Sequence, residues 1–324
     1  MKLKIKIVGG KDNKMIKLFT HTDLDGIGCA ILAMLVYDDV EIEYCNYDDI
    51  NEKVEEFLNN TKLTKNDIVF ITDISLNEKI AEIVNESYSY NFVLYDHHPT
   101  ALWLNKYVWC TIKTENENGI KTCGTELFYN EWISNLLNFN SDDEEIKKLV
   151  EIIRDYDTWR WKELGRDGLI SKKFNDLFGI YGRDRFIELI IEKLFTCNVK
   201  IDSNDTAILS VEQNKIDEYI KQRDSELAIA ENFPVNGYKC GFVFADRYIS
   251  ELGNTICEKH PEIDYVVIVN INAGTVSYRT VKDIDLGEIA KMFGGGGHPK
   301  ASGSQFNTNV IKANILQNIF CGKR

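Results

Sequence analysis

Aspartate and histidine residues stand together at the end of a short apolar segment near the middle of the first half of the chain. Residues 92–95 are apolar or aromatic, and Asp96, His97, His98 and Pro99 follow directly. The run predicts a buried strand, and the proline predicts its end. Two of only five histidines stand side by side here, which favours a functional site over an ordinary turn.

Other metal-capable side chains follow the same pattern. Residues 16–20 and 67–72 are predicted strands that end on further aspartates and a histidine, and a helical segment reaches Asp155 and Asp157. On a helix these two aspartates point about 200° apart, so only one should face the other residues. The candidates are His21, Asp23, Asp25, Asp73, Asp96, His97, His98 and one of Asp155 or Asp157.

Such a set of side chains indicates a site for divalent cations. Converging carboxylates repel each other unless cations lie between them. Carboxylate and imidazole ligands without thiolate favour Mn²⁺ over Zn²⁺. Two ions about 3.5–4 Å apart can stabilise an in-line displacement at phosphorus. The predicted reaction is therefore hydrolysis of a phosphoester or a phosphoanhydride.

The elements that position these residues alternate between strand and helix. Predicted helices over residues 29–37, 51–60 and 77–87 separate the strands. This alternation predicts an α/β fold with a doubly wound, mainly parallel sheet. Ligands bind such sheets at the carboxyl ends of their strands, where three predicted strands place Asp or His.

The second part of the chain has a different pattern. Residues 205–232 are charged and lack glycine and proline, which predicts a connecting helix. After Pro234 the pattern is α+β, with a predicted hairpin over residues 265–271 and 275–280. We predict three parts: a metal-binding domain over residues 1–195, a helical linker over 196–233 and a smaller domain over 234–324.

A run of four glycines near the end of the chain is a candidate anion site. It covers residues 294–297, and His298 follows it. Glycine amides can form a concave anion-binding surface, and Arg279, His298 and Lys300 could add positive charge. A flexible surface loop is the alternative. The flanking cations favour phosphate binding.

These residues resemble the motifs of a known family. His21-Thr22-Asp23-Leu24-Asp25-Gly26, Asp73, Asp96-His97-His98 and Asp157 are similar to the motif series of the DHH phosphoesterases, and residues 276–303 are similar to the DHHA1 domain that accompanies it. The nanoRNase or oligoribonuclease branch is the most similar, from His-x-Asp-Leu-Asp-Gly and Tyr-Asp-Thr-Trp. The resemblance covers nearly the whole chain and implies a DHH domain with a smaller α+β DHHA1 domain across a cleft.

The resemblance also implies a role for each residue. His21, Asp23 and Asp73 would hold one Mn²⁺, and Asp25, Asp73, His97 and Asp157 the other, with a bridging hydroxide as nucleophile. His98 would contact the substrate phosphate or help to bind metal, and Asp96 would orient a histidine. The nucleotide would be held by Arg279, Gly295, Gly296, Gly297, His298 and Lys300.

The implied function is Mn²⁺-dependent hydrolysis of short RNA oligonucleotides to mononucleotides. The net charge of −13 argues against a protein that coats long nucleic acid. Alternative substrates are linear or cyclic dinucleotides, phosphoadenosine phosphate and, in a RecJ-type reaction, single-stranded DNA. A catalytically inactive nucleic-acid-binding scaffold is disfavoured, because none of the expected aspartates is missing.

Composition and termini indicate a cytoplasmic protein with no membrane association. Eight scattered cysteines without a C-x-x-C pair suit reduced thiols. Residues 1–8 alternate like an amphipathic strand and lack the apolar core of a signal peptide. The oligomeric state is left open, a homodimer included. Tyr47, Trp159, Trp161 and His260 are interpreted as structural residues, although base stacking is an alternative for the two tryptophans.

Overall fold

Short apolar runs that alternate with amphipathic segments form the elements of the first half of the chain. The computed structural model describes residues 14–137, 143–309 and 317, so the strand predicted over residues 1–8 lies outside the described residues. The chain forms two compact units that divide after Leu209. The boundaries of the three predicted parts stay a prediction.

The first unit contains a five-stranded parallel sheet, as predicted. Strands β1, β3 and β4 are short, mostly buried runs, as expected where helices cover both faces of a sheet, whereas β2 alternates with glutamate and is only partly buried. The spatial order is β2-β1-β3-β4-β5, and every pair is parallel. The strands are β1 (Ile16–His21), β2 (Val40–Cys45), β3 (Ile68–Thr72), β4 (Phe92–Asp96) and β5 (Cys110–Ile112).

Helices follow the strands and bury apolar clusters on the two faces of the sheet. The first helix, α1, is apolar nearly all round and is buried along almost its whole length, as expected for a helix enclosed in a core. The helices are α1 (Leu24–Val36), α2 (Ile50–Asn60), α3 (Glu78–Ser87), a 3₁₀ helix (Pro99–Lys106), α4 (Gly124–Phe128), a π-helical turn (Tyr129–Ile133), α5 (Ser134–Leu136), α6 (Asp143–Asp157), α7 (Arg160–Glu163), α8 (Leu169–Tyr181) and α9 (Arg183–Phe195).

The second unit contains a six-stranded mixed sheet with the order β10-β11-β9-β8-β7-β6. The pair β7–β8 is parallel and the other pairs are antiparallel, including the predicted hairpin β8–β9. Helix α10 contains the division between the units. The elements are α10 (Ser203–Ser225), β6 (Ala228–Glu231), β7 (Lys239–Phe244), α11 (Ile249–Lys259), β8 (Tyr265–Asn270), β9 (Thr275–Arg279), α12 (Leu286–Lys291), β10 (Gly296–His298) and β11 (Ala301–Gln305).

Two local predictions for the second unit are wrong. The helix predicted over residues 205–232 ends at Ser225, and Ala228–Glu231 is an edge strand that pairs with β7. Residues 296–298 are a strand that pairs with β11 and not a loop. In both segments, hydrogen bonds to a neighbouring strand override the local preference of alanine for helix and of glycine for irregular backbone.

Neither a membrane-spanning helix nor a disulfide occurs among the described residues. No helix there is long and apolar enough to cross a bilayer. The cysteines that the structure describes are free, and all but Cys197 are buried.

Candidate metal centre

The carboxyl ends of β1, β3 and β4 meet at one edge of the parallel sheet. His21 is the last residue of β1, Asp73 follows β3, and Asp96 is the last residue of β4. Because these strands are neighbours in the sheet, their final side chains lie close together. Asp73 has a left-handed backbone with φ of 57°, which is costly for a residue with a Cβ and is typical of functional sites.

The start of α1 brings two more aspartates to this edge. Asp23 is the N-cap residue and accepts a hydrogen bond of 3.1 Å from the Gly26 amide. Asp25 is buried, and the amides of Gly124 and Thr125 donate to its carboxylate at 2.6 and 2.8 Å. A Cβ on Gly124 would lie 2.6 Å from the Cβ of Asp73, so only glycine permits this approach.

One group of possible ligands is formed by His21, Asp23 and Asp73. The Nδ1 atom of His21 lies 2.9 Å from Oδ2 of Asp23 and 3.7 Å from Oδ2 of Asp73. One ligand atom from each residue lies within 4.8 Å of the others, which is close enough to share one ion.

A second group is formed by Asp25, His97 and Asp157, with Asp73 beside it. The Nε2 atom of His97 lies 3.3 Å from Oδ1 of Asp73 and 3.4 Å from Oδ2 of Asp157. It lies 3.7 Å from Oδ2 of Asp25. Asp73 therefore presents one carboxylate oxygen to each group.

Several ligand atoms of both groups are buried but make no hydrogen bond. They are Nδ1 of His21, Oδ2 of Asp73 and Nε2 of His97, which have no hydrogen-bond partner in the described part of the chain. A buried polar atom without a partner costs free energy. Oxygen and nitrogen atoms that converge in this way fit divalent cations such as Mn²⁺.

The ionisation of the aspartates shows how strongly they repel each other. Burial, and then the charges of Asp25 and Asp23, raises the pKa of Asp73 well above its usual range. The same causes raise the pKa of Asp157 to about 8. Burial alone would also raise the pKa of Asp23, but the neighbouring imidazole of His21 lowers it to about 2. A bound cation would remove the repulsion between the carboxylates.

Asp157 and Asp155 have different surroundings. Asp157 lies beside His97 in the second group. The Oδ1 atom of Asp155 accepts hydrogen bonds of 2.9 Å from Arg154 and 3.0 Å from Arg160. Asp155 is thus part of an ion-pair network, and the geometry brings Asp157 to the other candidate ligands.

Asp96 and His98 form a hydrogen-bonded pair next to the two groups. Oδ1 of the buried Asp96 accepts from Nδ1 of His98 at 2.7 Å and from the backbone amide of His97 at 2.8 Å. The hydrogen bond from His98 to Asp96 raises the pKa of the imidazole. The other ring nitrogen, Nε2, lies 3.1 Å from the hydroxyl of Tyr47, whose ring also lies against that of His21.

The predicted nucleotide-binding residues belong to the second unit. Arg279 ends β9 and is half-buried, and burial lowers its pKa. Its Nη1 atom donates to the carbonyl of Tyr278 at 2.9 Å, and Nη2 lies 3.5 Å from Oγ of Ser250. The amino group of Lys300 donates to the carbonyl of Lys282.

The glycine run has a packing role within this unit. A Cβ on Gly295 would lie 2.0 Å from the carbonyl oxygen of Gly303, and a Cβ on Gly297 would lie 2.7 Å from the Cα of Ser302. Strand β11 therefore needs glycine at both positions, whereas Gly296 has open space and His298 is exposed. The phosphate-binding role of this segment stays a prediction.

The sequence did not indicate two of the residues that lie beside the candidate metal ligands. Tyr47 was interpreted as an ordinary residue after a strand, and its contact with His98 joins positions 51 apart. Gly124 lies in a stretch without clear periodicity, and its amide donates to Asp25 across 99 positions. A glycine at the start of a short helix was the one available signal, and it is weak by itself.

Fold and site together define a phosphoesterase with an acidic, histidine-containing centre, and the chain is similar in sequence to known proteins. The sequence model of the DHHA1 domain matches residues 247–319. Oligoribonuclease NrnB of Bacillus subtilis is 37% identical over 309 residues, which cover 94% of this chain and 76% of that protein. The chain belongs to the DHH/DHHA1 phosphoesterase family.

Two more distant similarities agree with this assignment. A 3′,5′-cyclic-nucleotide phosphodiesterase of Helicobacter pylori is 23% identical over 91% of this chain and 96% of its own length. Among solved structures, a DHH domain described as a member of the s1p family of ribosomal proteins superposes with a TM-score of 0.57. It is 17% identical and covers 94% of this chain and 85% of its own, so this likeness concerns the fold.

Proposed function

We propose that this protein is a Mn²⁺-dependent phosphodiesterase that hydrolyses short RNA oligonucleotides to mononucleotides. The observation that carries the proposal is the position of Asp73 between the two groups of ligand atoms. A shared carboxylate is the feature that two adjacent cations require.

In this proposal His21, Asp23 and Asp73 hold one cation, and Asp25, Asp73, His97 and Asp157 hold the other. Two divalent cations supply a Lewis acid and a nucleophile at neutral pH. The chain supplies the positions of the ligands: two amides hold Asp25, and the sheet edge presents Asp73 and His97.

His98 binds the substrate phosphate. Its hydrogen bond to Asp96 raises its pKa and therefore favours the charged imidazolium, which attracts the negative charge of the phosphate. In the second unit, Arg279 and residues 295–298 hold the rest of the nucleotide, with Lys300 beside them. The free cysteines support a cytoplasmic location.

Short RNA is favoured by the relative at 37% identity, which is an oligoribonuclease. The net charge of −13 also disfavours extended nucleic acid, which would be repelled outside the binding site. Because a cyclic-nucleotide phosphodiesterase is 23% identical, cyclic nucleotides should be tested beside short RNA.

The purified protein should be incubated with Mn²⁺ and six substrates: an RNA dinucleotide, a longer RNA, single-stranded DNA, a cyclic dinucleotide, a 3′,5′-cyclic mononucleotide and phosphoadenosine phosphate. We expect the dinucleotide to give the highest kcat/KM, and a chelator to abolish turnover. Preference for any other substrate would contradict the proposed specificity, and full activity after metal removal would contradict the mechanism.

A further inference from the structure

Trp159 is an exposed tryptophan two residues after Asp157. Its side chain is 63% exposed, so its indole is not core packing. Consecutive Cα atoms are 3.8 Å apart, which places the Cα of Trp159 within about 7.6 Å of that of Asp157. A large exposed aromatic side chain is therefore a near neighbour, along the chain, of a candidate metal ligand.

The backbone of Trp159 is left-handed, with φ of 63° and ψ of 7°. It follows the end of α6, where the Thr158 amide donates to Arg154 and the Trp159 amide donates to Tyr156. Helices that end in this way usually have glycine at the left-handed position, since a Cβ is disfavoured there. The left-handed backbone is unfavourable for tryptophan, and an unfavourable backbone conformation beside a candidate site points to a function.

The surroundings of Trp159 hold the indole in place. Its ring is stacked on Trp161 with centroids 6.5 Å apart and an interplanar angle of 27°. A Cβ on Gly168 would lie 2.1 Å from the carbonyl oxygen of Trp161, so the segment beneath is closely packed. The amino group of Lys162 lies 4.2 Å from the ring centroid of Trp159. Lys162 and Trp161 both contact the ring, and the 63% of the side chain that stays exposed forms its open face.

An ordered aromatic face with a cation beside it is suited to a nucleobase and its phosphate. We propose that the open face of Trp159 stacks one base of the oligonucleotide substrate, with Lys162 beside the adjoining phosphate. The inference rests on the proposed function and adds a base subsite to the phosphate site. Every base has an aromatic face, so this subsite gives affinity without strong sequence preference.

The test compares an RNA dinucleotide with two analogues, of which one lacks the 5′ base and the other the 3′ base. We expect Trp159→Gly to raise KM for the intact dinucleotide about tenfold, because stacking on one aromatic side chain contributes that order of affinity. One of the two analogues lacks the base that stacks on Trp159. For that analogue, the KM of the variant divided by the KM of the wild type should fall toward one. Trp159→Phe should restore most of the affinity.

Melting temperature separates binding from folding in this experiment. Glycine relieves the left-handed backbone, so the melting temperature of Trp159→Gly should not fall. The matched control is Tyr90→Gly, an exposed aromatic residue before β4 at the opposite edge of the sheet, and its KM should equal that of wild type.

Equal changes in KM on all three substrates, or an unchanged KM on the intact dinucleotide, would overturn the stacking inference alone. A lower melting temperature that accounts for the loss would also overturn it. If the wild-type protein fails to hydrolyse the dinucleotide, the proposed function fails and this inference fails with it.

Discussion

A buried aspartate lies at each end of strand β3, and the two carboxylates differ in their hydrogen-bond partners. Asp67 precedes the strand and is 5% exposed, and its carboxylate accepts from the amide of Met15 and from the amide and hydroxyl of Thr64. Asp73 follows the strand and is 1% exposed, and its Oδ2 atom has no hydrogen-bond partner within residues 14–137 and 143–309.

The pKa values follow from this difference. Burial alone would raise the pKa of Asp67, but hydrogen bonds from Thr64 and Met15 outweigh it and lower the pKa. Burial raises the pKa of Asp73, and neighbouring aspartates raise it further. Since both residues are buried on one strand, burial does not separate a structural carboxylate from one that is suited to a cation. The number of donors around the carboxylate separates Asp67 from Asp73.

The largest expected effect is on activity. Asp73→Asn should lower kcat/KM by about 10³-fold or more, because loss of a shared ligand removes several kcal/mol of charge stabilisation. Asp67→Asn should stay within about twofold of wild type, measured in the same assay with Mn²⁺ at a temperature where both variants are folded.

Stability should change in the opposite order. Asp67→Asn loses charged hydrogen bonds and should cost about 1–3 kcal/mol in the free energy of unfolding, measured by urea denaturation. Metal-free Asp73→Asn should be at least as stable as metal-free wild type, because a crowded carboxylate is replaced by a neutral amide. If Asp73→Asn were less stable than Asp67→Asn, the contrast between these two aspartates would be wrong.

Binding of Mn²⁺ extends the comparison to the two aspartates near the end of α6. At about one hundred times the Kd of a site, each bound Mn²⁺ should stabilise the wild-type protein by about 2.7 kcal/mol. Asp157→Asn should lose the part of the resulting rise in melting temperature that comes from the second cation, because Asp157 lies in the second ligand group. Asp155→Asn should melt lower but keep the rise, since it loses only ion pairs with Arg154 and Arg160. A rise lost equally in both variants would show that the helix end is merely disturbed.

The sequence was sufficient to predict that the candidate ligands lie close together, and the reason is topological. Parallel strands separated by helices place their carboxyl ends at one edge, so residues after the apolar runs had to converge. The resemblance of the motifs pointed to Asp157 but left Asp155 as a rival, and the folded chain places Asp157 beside His97.

The hydrogen-bond partners of each side chain could not be predicted from the sequence. The difference between Asp67 and Asp73 depends on donors that only the folded chain brings together, as does the hydrogen bond between Tyr47 and His98. Strand β6 is similar, because an Ala-Ile-Ala-Glu segment favours helix locally and becomes a strand only through its pairing with β7.

In the metal-free protein, the contributions of Asp157 and Asp67 to stability should also change with pH in opposite directions. Asp157 has an ordinary pKa of 3.8 and a folded pKa of about 8. Between these values the folded state binds more protons than the unfolded state, so stability falls as pH rises from about 4 to about 8. The lowered pKa of Asp67 contributes stability above its unfolded pKa that is lost only as pH falls toward the folded value.

Melting curves between pH 5 and 8 measure this slope. Metal-free Asp157→Asn should show a smaller decline with rising pH than metal-free wild type, and Asp67→Asn should show the same decline as wild type. Saturating Mn²⁺ should remove the decline in the wild-type protein. An equal decline in all three metal-free proteins would contradict the assignment of this pH dependence to the carboxyl edge.

The smallest expected effect concerns Tyr47, whose hydroxyl lies 3.1 Å from Nε2 of His98. Burial and the charges of Asp73 and Asp23 raise the pKa of Tyr47, so the hydroxyl stays neutral, and its oxygen can accept from the protonated Nε2 and hold the imidazole in place. Tyr47→Phe removes one hydrogen bond, worth about 1 kcal/mol, and should raise KM for the dinucleotide about fivefold. Because His98 binds phosphate in the proposed function, kcat should change less than KM. Tyr90→Phe at the amino edge is the matched control and should leave both constants unchanged; an equal effect of the two substitutions would mean that the hydroxyl of Tyr47 does not position His98.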